Sequence, residues 1–270
     1  NPRGVWGAQR SAPVGCYSHS SSSGVGQYLR FIKVTLMSEM ITCFLPCRKG
    51  SERVLRKNIK PFADFEHGLV EVKLRQLLAT PEIDRVVLST NDEELLDFAA
   101  NYKSEKLVLH RREDALALSS TSTDELVAHA HALIDDGHIL WTHVTSPFVT
   151  AEMYSSAIAQ YWAALEQGYD SLMTTTPIHG FLWNEQGPIN YDRNAEKWPR
   201  TQTLEPVHEV NSAIFLAHRD IYSRLEDRIG SRPYLHALDK LVAYDIDWPE
   251  DFLIAMTLAK LGLAKTCPLF

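Results

Sequence analysis

The chain has 270 residues, 45% of them hydrophobic and 23% charged, with a formal net charge of -7. This size and apolar content suit one sizeable core, and the acidic balance excludes a dedicated nucleic-acid binder, whose footprint is a basic face. No stretch approaches the roughly eighteen apolar residues of a membrane span, and the four cysteines (Cys16, Cys43, Cys47, Cys267) form no CxxC pair, a usage that fits a reducing cytoplasm.

Residues 1–36 differ from the rest. They open on Asn1 and run through Gly, Pro and a SHSSSSG tract with no apolar signal region. They are expected to be a disordered or non-native leader, with a natural start at Met37 or Met40 and one domain over residues 37–270. Met40 to Leu45 is an apolar, partly β-branched run ended by Pro46, which predicts a short buried strand. Cys43 and Cys47 flank its end, where a disulfide is geometrically unfavourable. The following loop, within FLPCRKGSERVLRKN (Phe44 to Asn58), carries Arg48, Lys49, Arg53, Arg56 and Lys57 together with Ser51 and the freely turning Gly50. Such a loop suits a polyanion lying across the end of a first strand, a triphosphate above all, with a solvated basic turn as the alternative. It matches neither the Walker A pattern nor the dinucleotide GxGxxG pattern.

His67 to Leu78 places Leu69, Val72, Leu74, Leu77 and Leu78 at roughly helical spacing and predicts the first crossover helix. Arg85 to Ser89 is expected as a buried strand, with Thr90, Asn91 and Asp92 as cap candidates for a helix reaching Tyr102, and Lys106 to His110 as another strand. Asp124 to Asp135 is amphipathic, with Leu126, Val127, Ala130, Leu133 and Ile134 inward and Gly137 as a stop. On this helix His129 and His131 lie two apart and cannot share a face, which argues against a zinc pair. His138 to Val144 predicts a fourth strand ahead of Thr145-Ser146-Pro147, followed by a helix over Ala151 to Gln167 and a strand over Ser171 to Thr176. This alternation predicts a doubly wound, mostly parallel α/β sheet whose ligands lie beyond its strand ends.

From Ile178 to about residue 210 the pattern changes. Phe181 to Trp183 and Pro188 to Tyr191, around Asn184 to Gly187, predict an inserted hairpin, either a substrate flap or a dimer arm. Asn211 to Ala217 and Leu241 to Ile246 are expected as late strands, and Pro249 to Leu261 as a closing helix ended by Gly262. In extended chain Asp245 and Asp247 point the same way while Ile246 points to the core. A hard divalent cation removes the repulsion of such a pair, and magnesium characteristically takes one or two carboxylates plus substrate phosphates. The alternative is structural: Asp247 with Glu250 as an acidic capping box, and Pro249 in the first turn.

FLPCRKGSERVLRKN, WTHVTSPFV, VNSAIFLA and YDIDWPEDFLIA together resemble, in order and approximate spacing, the acylneuraminate cytidylyltransferases, which make CMP-activated sialic acids and their relatives. The resemblance covers about residues 40–262. It implies a Rossmann-like nucleotidyltransferase fold, a homodimer in which the hairpin is an arm reaching the partner, and attack of the anomeric hydroxyl of a 2-keto sugar acid on the α-phosphate of CTP with release of pyrophosphate. By the same resemblance Arg48, Ser51 and Lys57 match triphosphate contacts, Asn58 and Arg111 match positions near the cytidine, with Arg112 adjacent, and Asp245 and Asp247 match the pair that binds magnesium (Mg2+). Arg48, Lys57 and Asp247 are the candidate catalytic residues. Arg200, Gln202 and Asn211 resemble sugar-side positions, and His208-Glu209 is read as surface loop.

The chain also departs from the pattern. Where the family commonly has QPTSPLR, this chain has HVTSPFV, so His143 stands for a glutamine and Val149 for an arginine. His143 is therefore a candidate sugar contact or a structural histidine. Glu52 stands where lysine is frequent, with Arg53 and Arg56 available to compensate. The RKN ending resembles the nine-carbon branch, whereas enzymes for the eight-carbon acid Kdo usually read GKPL. The expected function is thus a magnesium-dependent cytidylyltransferase for a nonulosonic acid, with another sugar nucleotidyltransferase or a catalytically weak nucleotide binder as alternatives.

Overall fold

The structure, a computed structural model, describes residues 40–267. The expected leader over residues 1–36 lies outside the described residues, as does Cys16. In chain order the elements are β1 (Ile41–Cys47), α1 (Gly68–Leu78), β2 (Arg85–Thr90), α2 (Glu93–Ala99), β3 (Leu107–Arg111), α3 (Thr123–Leu133), β4 (His138–Trp141), α4 (Ala151–Glu166), β5 (Ser171–Ile178), β6 (Trp183–Asn184), β7 (Gly187–Pro188), β8 (Val207–His218), α5 (Arg219–Arg224), β9 (Pro233–Ala237) and α6 (Pro249–Lys260).

Seven strands form one sheet in the order β3-β2-β1-β4-β8-β5-β9. β1 pairs in parallel with β2 and β4, β2 with β3, and β5 with β9, while β8 runs antiparallel to both β4 and β5. The chain winds outward from β1 to β3 and then returns to the other side of β1 with β4. That reversal leaves a crevice beyond the C-terminal ends of β1 and β4, where an open α/β sheet binds its ligands. β1 is buried on both faces, which is why ITCFLPC reads as an apolar run rather than an alternation. One face packs Cys43, Leu45, Leu88 and Leu140 against α1 residues Leu69, Val72 and Leu77 and α4 residues Tyr154 and Tyr161. The other packs Phe44, Trp141 and Phe215 against Val127 and Ala130 of α3 and Ile221 and Tyr222 of α5.

The local signals mostly act as expected. Asp92 caps α2 by accepting from Glu94 N–H at 3.2 Å. A capping box that the sequence reading did not identify starts α3: Ser122 Oγ accepts from Glu125 N–H at 3.1 Å, and the Glu125 carboxylate accepts from Ser122 N–H at 2.7 Å. Gly137 adopts φ +77, and a Cβ there would collide with the Met40 carbonyl, so only glycine fits this approach to β1. Cys43, Cys47 and Cys267 are free thiols. The hairpin exists with shorter pairing than expected, Trp183 opposite Pro188 and Asn184 opposite Gly187.

Two expectations fail. Leu241 to Ile246 is not a strand: Ala243 N–H donates to Asp239 O at 2.9 Å, a helical-turn bond, and the buried positions are Ala243 and Ile246, three apart instead of two. The late strand is instead β9, PYLHA, whose proline opening suits an edge. The helix that follows is anchored by Asp251 rather than Glu250. The Asp251 carboxylate accepts from Asp247 N–H at 3.0 Å and Trp248 N–H at 2.8 Å, so Asp247 gives its backbone to the cap and keeps its side chain for other work.

Candidate functional site

The crevice holds a cleft of about 360 Å3. Its walls come from the β1 loop (Arg48, Ser51, Glu52, Arg53, Lys57, Asn58), the end of β4 (His143, Val144, Thr145), Arg112 and the 116–121 segment after β3, and Asp247. Four cations, Arg48, Arg53, Lys57 and Arg112, thus face two carboxylates, Glu52 and Asp247. That surplus on an acidic chain suits a compact polyanion.

The loop is shaped by its own bonds. Gly50 takes φ +80, Asn58 Nδ2 donates to the Arg48 carbonyl at 3.0 Å, and Lys49 N–H donates to Asn91 Oδ1 at 2.8 Å. Lys57 then joins the two sequence anchors: its ammonium donates to the Ile246 carbonyl at 2.6 Å, across 189 residues of chain, with Asp247 Oδ1 at 3.8 Å. Burial pushes this ammonium below the ordinary lysine range, against the pull of Asp247 and Asp245. Arg53 reaches Asp247 Oδ1 at 3.3 Å and lies over the Trp248 ring at 4.8 Å. Of the two arginines proposed to offset Glu52, Arg53 is therefore in the cleft, whereas Arg56 turns away to pair with Glu94.

Asp245 lies beside Asp247. Ile246 between them is fully buried, Asp247 lines the cleft, and its charge acts on Asp245. Asp245 Oδ1 is buried with no hydrogen-bond partner among the described residues. Burial first, and then the charge of Asp247, raise its carboxyl above the usual carboxylate range, against a hydrogen bond from Thr145 and the charge of Lys57. An orphaned carboxylate oxygen beside a second carboxylate fits a hard divalent cation. Among the described residues no group of three or more His, Cys, Asp or Glu side chains gathers, so the protein would supply two carboxylates and the substrate and water would supply the remaining oxygens.

A buried network that the sequence reading missed supports this edge. Lys73 of α1 is fully buried, and its ammonium donates to the Ser146 carbonyl at 2.7 Å and to Tyr154 Oη at 2.9 Å. Tyr154 Oη bonds Thr142 Oγ1 at 2.7 Å, which donates to the Ala213 carbonyl at 2.7 Å. Gln76 Nε2 holds the Pro147 carbonyl at 2.7 Å, and Ile246 N–H bonds Thr145 O at 3.0 Å. The Thr145-Ser146-Pro147 turn is thus tied from below by α1 and from the side by the aspartate segment. Burial pushes the Lys73 ammonium down to about 7. The signal was present: Lys73 sits four residues from both Leu69 and Leu77, on the apolar stripe.

Other expected site residues lie elsewhere. Arg111 is exposed and pairs with Glu93, whereas Arg112 is buried on the cleft with its Nε unpartnered among the described residues. Of the two neighbours, Arg112 is the one on the cleft wall. Arg200 opens an exposed single turn over Thr201–Thr203 and Gln202 lies within it, and neither lines the cleft. Asn211 is buried and spends its amide inside the sheet, Nδ2 donating to Thr176 Oγ1 at 3.1 Å and Oδ1 accepting from Ala213 N–H at 3.3 Å, around the bulge at Ser212 with φ +55. His208 and Glu209 belong to β8 rather than a loop, with His208 Nδ1 bonded to Thr175 Oγ1 at 2.9 Å. Val149 is fully buried in the core and cannot reach a ligand in the cleft. The 116–121 wall, with Leu116, Leu118, Ser119 and Thr121, carries no periodic pattern and gave no signal.

A cytidylyltransferase family model matches residues 42–259. The chain is 25% identical over 229 residues to the pseudaminic acid cytidylyltransferase of Campylobacter jejuni, covering 82% of this chain and 96% of that one. It is likewise 25% identical over 229 residues to the N-acylneuraminate cytidylyltransferase of Escherichia coli, covering 82% of this chain and 52% of that longer protein. Its fold is similar to that of CMP:2-keto-3-deoxy-manno-octonic acid synthetase complexed with CTP, with a TM-score of 0.57 at 14% identity, covering 83% of this chain and 99% of that one.

Proposed function

Because the chain belongs to the cytidylyltransferase family, we propose that it transfers CMP from CTP to the anomeric hydroxyl of a nonulosonic, sialic acid-like sugar acid and releases pyrophosphate. The observation that supports this reading is the Lys57 bridge, which joins the basic loop to the aspartate segment at the cleft wall that Asp247 lines. The hydroxyl oxygen bonds to the α-phosphorus and gives up its proton to water, the bond from that phosphorus to the bridging oxygen breaks, and pyrophosphate leaves with the electron pair. Such a transfer needs positioning and charge neutralisation more than covalent participation by the protein.

Arg48, Ser51 and Lys57 are assigned to the triphosphate, and Asn58 and Arg112 to the nucleoside side of the cleft. His143 is assigned to the sugar acid. Asp245 and Asp247 would hold a divalent cation, taken as magnesium, which supplies charge neutralisation at the phosphates when bound. The insert over residues 179–206 exposes Trp183, Ile189 and Trp198, and Val210 and Leu235 are exposed nearby on β8 and the edge strand β9. This apolar surface supports a homodimer built with the arm. Among the described residues no helix is long and apolar enough to cross a membrane, and the free thiols favour the cytoplasm.

Pyrophosphate release with magnesium, each of the four NTPs and a panel of sialic, legionaminic, pseudaminic and Kdo-type acids tests the reading. Release is expected with CTP and a nine-carbon acid. Release with another NTP, or with none alongside measurable CTP binding, sinks it. The position of Arg112 is tested separately: Arg112→Ala is expected to raise the KM for CTP more than about tenfold, the scale of one lost charge-assisted contact, and Arg111→Ala much less. Equal effects would reject the assignment.

A further inference from the structure

His143 is not a free imidazole at the cleft wall. Its Nε2 lies 3.0 Å from the Nε1 of Trp141, the last residue of β4. An indole N–H only donates, so His143 Nε2 must accept and the proton of the neutral ring sits on Nδ1. Trp141 is itself fixed: it is 1% exposed, packs edge-on against Phe44 at 4.8 Å, and has the Arg228 guanidinium 5.1 Å from its centroid. Arg228 in turn lies 3.8 Å over Phe215. Burial first, then the charges of Arg228, Lys73 and Lys57, hold the His143 ring neutral, with its titration lowered to about 3. Nδ1 makes no hydrogen bond among the described residues, and the ring lines the cleft beside Val144 and Thr145.

We propose that Trp141 is a positioning residue that fixes His143 as an Nδ1–H donor, so that this wall of the cleft recognises an accepting oxygen of the sugar acid through a contact that cannot invert. A glutamine there presents an acceptor as well as donors, whereas the locked histidine presents only a donor. The arrangement therefore selects an acceptor at one position of the second substrate and leaves the nucleotide contacts untouched. It rests on the cytidylyltransferase reading for the identity of the ligand, but the tautomer is a property of the protein alone.

Long-range proton–nitrogen spectra of protein labelled at histidine test the tautomer without any substrate. His143 is expected to show a protonated Nδ1 and a bare Nε2, unchanged between pH 5.5 and 8.5. Trp141→Phe keeps the ring volume and removes the N–H, and is expected to shift the ring toward the Nε2–H form and raise the KM for the sugar acid about fivefold to tenfold, the scale of one hydrogen bond. In a His143→Gln background the same Trp141→Phe change is expected to move KM less than twofold, because glutamine has no tautomer to fix. A protonated Nε2 in the unaltered protein overturns the proposal. An equal Trp141→Phe effect in both backgrounds does so as well, since it shows Trp141 acting through packing alone. A locked tautomer in a protein that turns over none of the acids would overturn the contact to a sugar acid together with the proposed reaction.

Discussion

Asp247→Asn is expected to lower turnover about a thousandfold while leaving the fold intact. On the proposed assignment the change removes a metal ligand and with it several kcal/mol of charge stabilisation in the transition state, and each 1.4 kcal/mol is about a factor of ten. The structural loss is small, because the Asp247 carboxylate is half exposed and its pairs with Arg53 and Lys57 are of the weak, solvent-screened kind. The backbone N–H of Asp247 goes on bonding Asp251. Asp245→Asn is expected to be comparably inactive, yet at least as stable as the parent without metal, since it replaces a buried carboxylate whose Oδ1 has no partner. Magnesium-dependent turnover at the parental rate in either variant would remove that residue from the metal assignment. A large fall in melting temperature for Asp247→Asn would mean that the pair is structural.

The second large effect concerns Lys73. Its ammonium titrates near 7 in the folded protein because burial disfavours the charge, and near 10.4 in the unfolded chain. Between those values the unfolded state binds a proton that the folded state has released, so folding stability gains as pH rises, with a limiting slope of about 1.4 kcal/mol per pH unit, and the contribution is flat below the folded value. Lys73→Met removes this contribution. The stability difference between parent and variant is therefore expected to move in the parent's favour by on the order of 2 kcal/mol between pH 7 and 9, measured by denaturant unfolding. A difference independent of pH over that range would show that Lys73 stays charged in the folded state. The variant also frees the Ser146 carbonyl and loosens the turn that Ile246 N–H grips at Thr145. A lower kcat with a nearly unchanged KM for CTP is expected to accompany the stability change.

What was legible in the sequence follows from how locally each feature is encoded. The first strand, the crossover helices and the basic loop are written in contiguous residues, and the sheet they build is the one expected. The aspartate pair does flank a buried Ile246, but the strand expected to carry it is absent, and a turn closed by Ala243 and Asp239 holds the segment instead. Arg111 and Arg112 show the opposite limit. Both are identical in composition terms, and only the end of β3 decides which one turns into the cleft and which meets Glu93. Lys73 and Trp141 were hidden for another reason: each acts through a partner distant in sequence or through a neighbouring ring, and a lysine on an apolar stripe or a tryptophan in a strand reads as packing until its donor is located. Asn211 and Val149 are the reverse case, motif positions whose side chains are used up inside the fold.

The reversed direction of β8 has a further consequence. Since β5 runs with β4 and β8 runs against both, the chain leaves the sheet after Ile178 and re-enters it at Val207 on the edge where β1 and β4 also finish. The whole of residues 179–206 is thus delivered to the mouth of the crevice as one contiguous insertion, with both its ends stitched to the same rung of the sheet. The insertion can therefore change in length and sequence at a single pair of joints without disturbing the strand ends that line the cleft, whose walls take no residue from it.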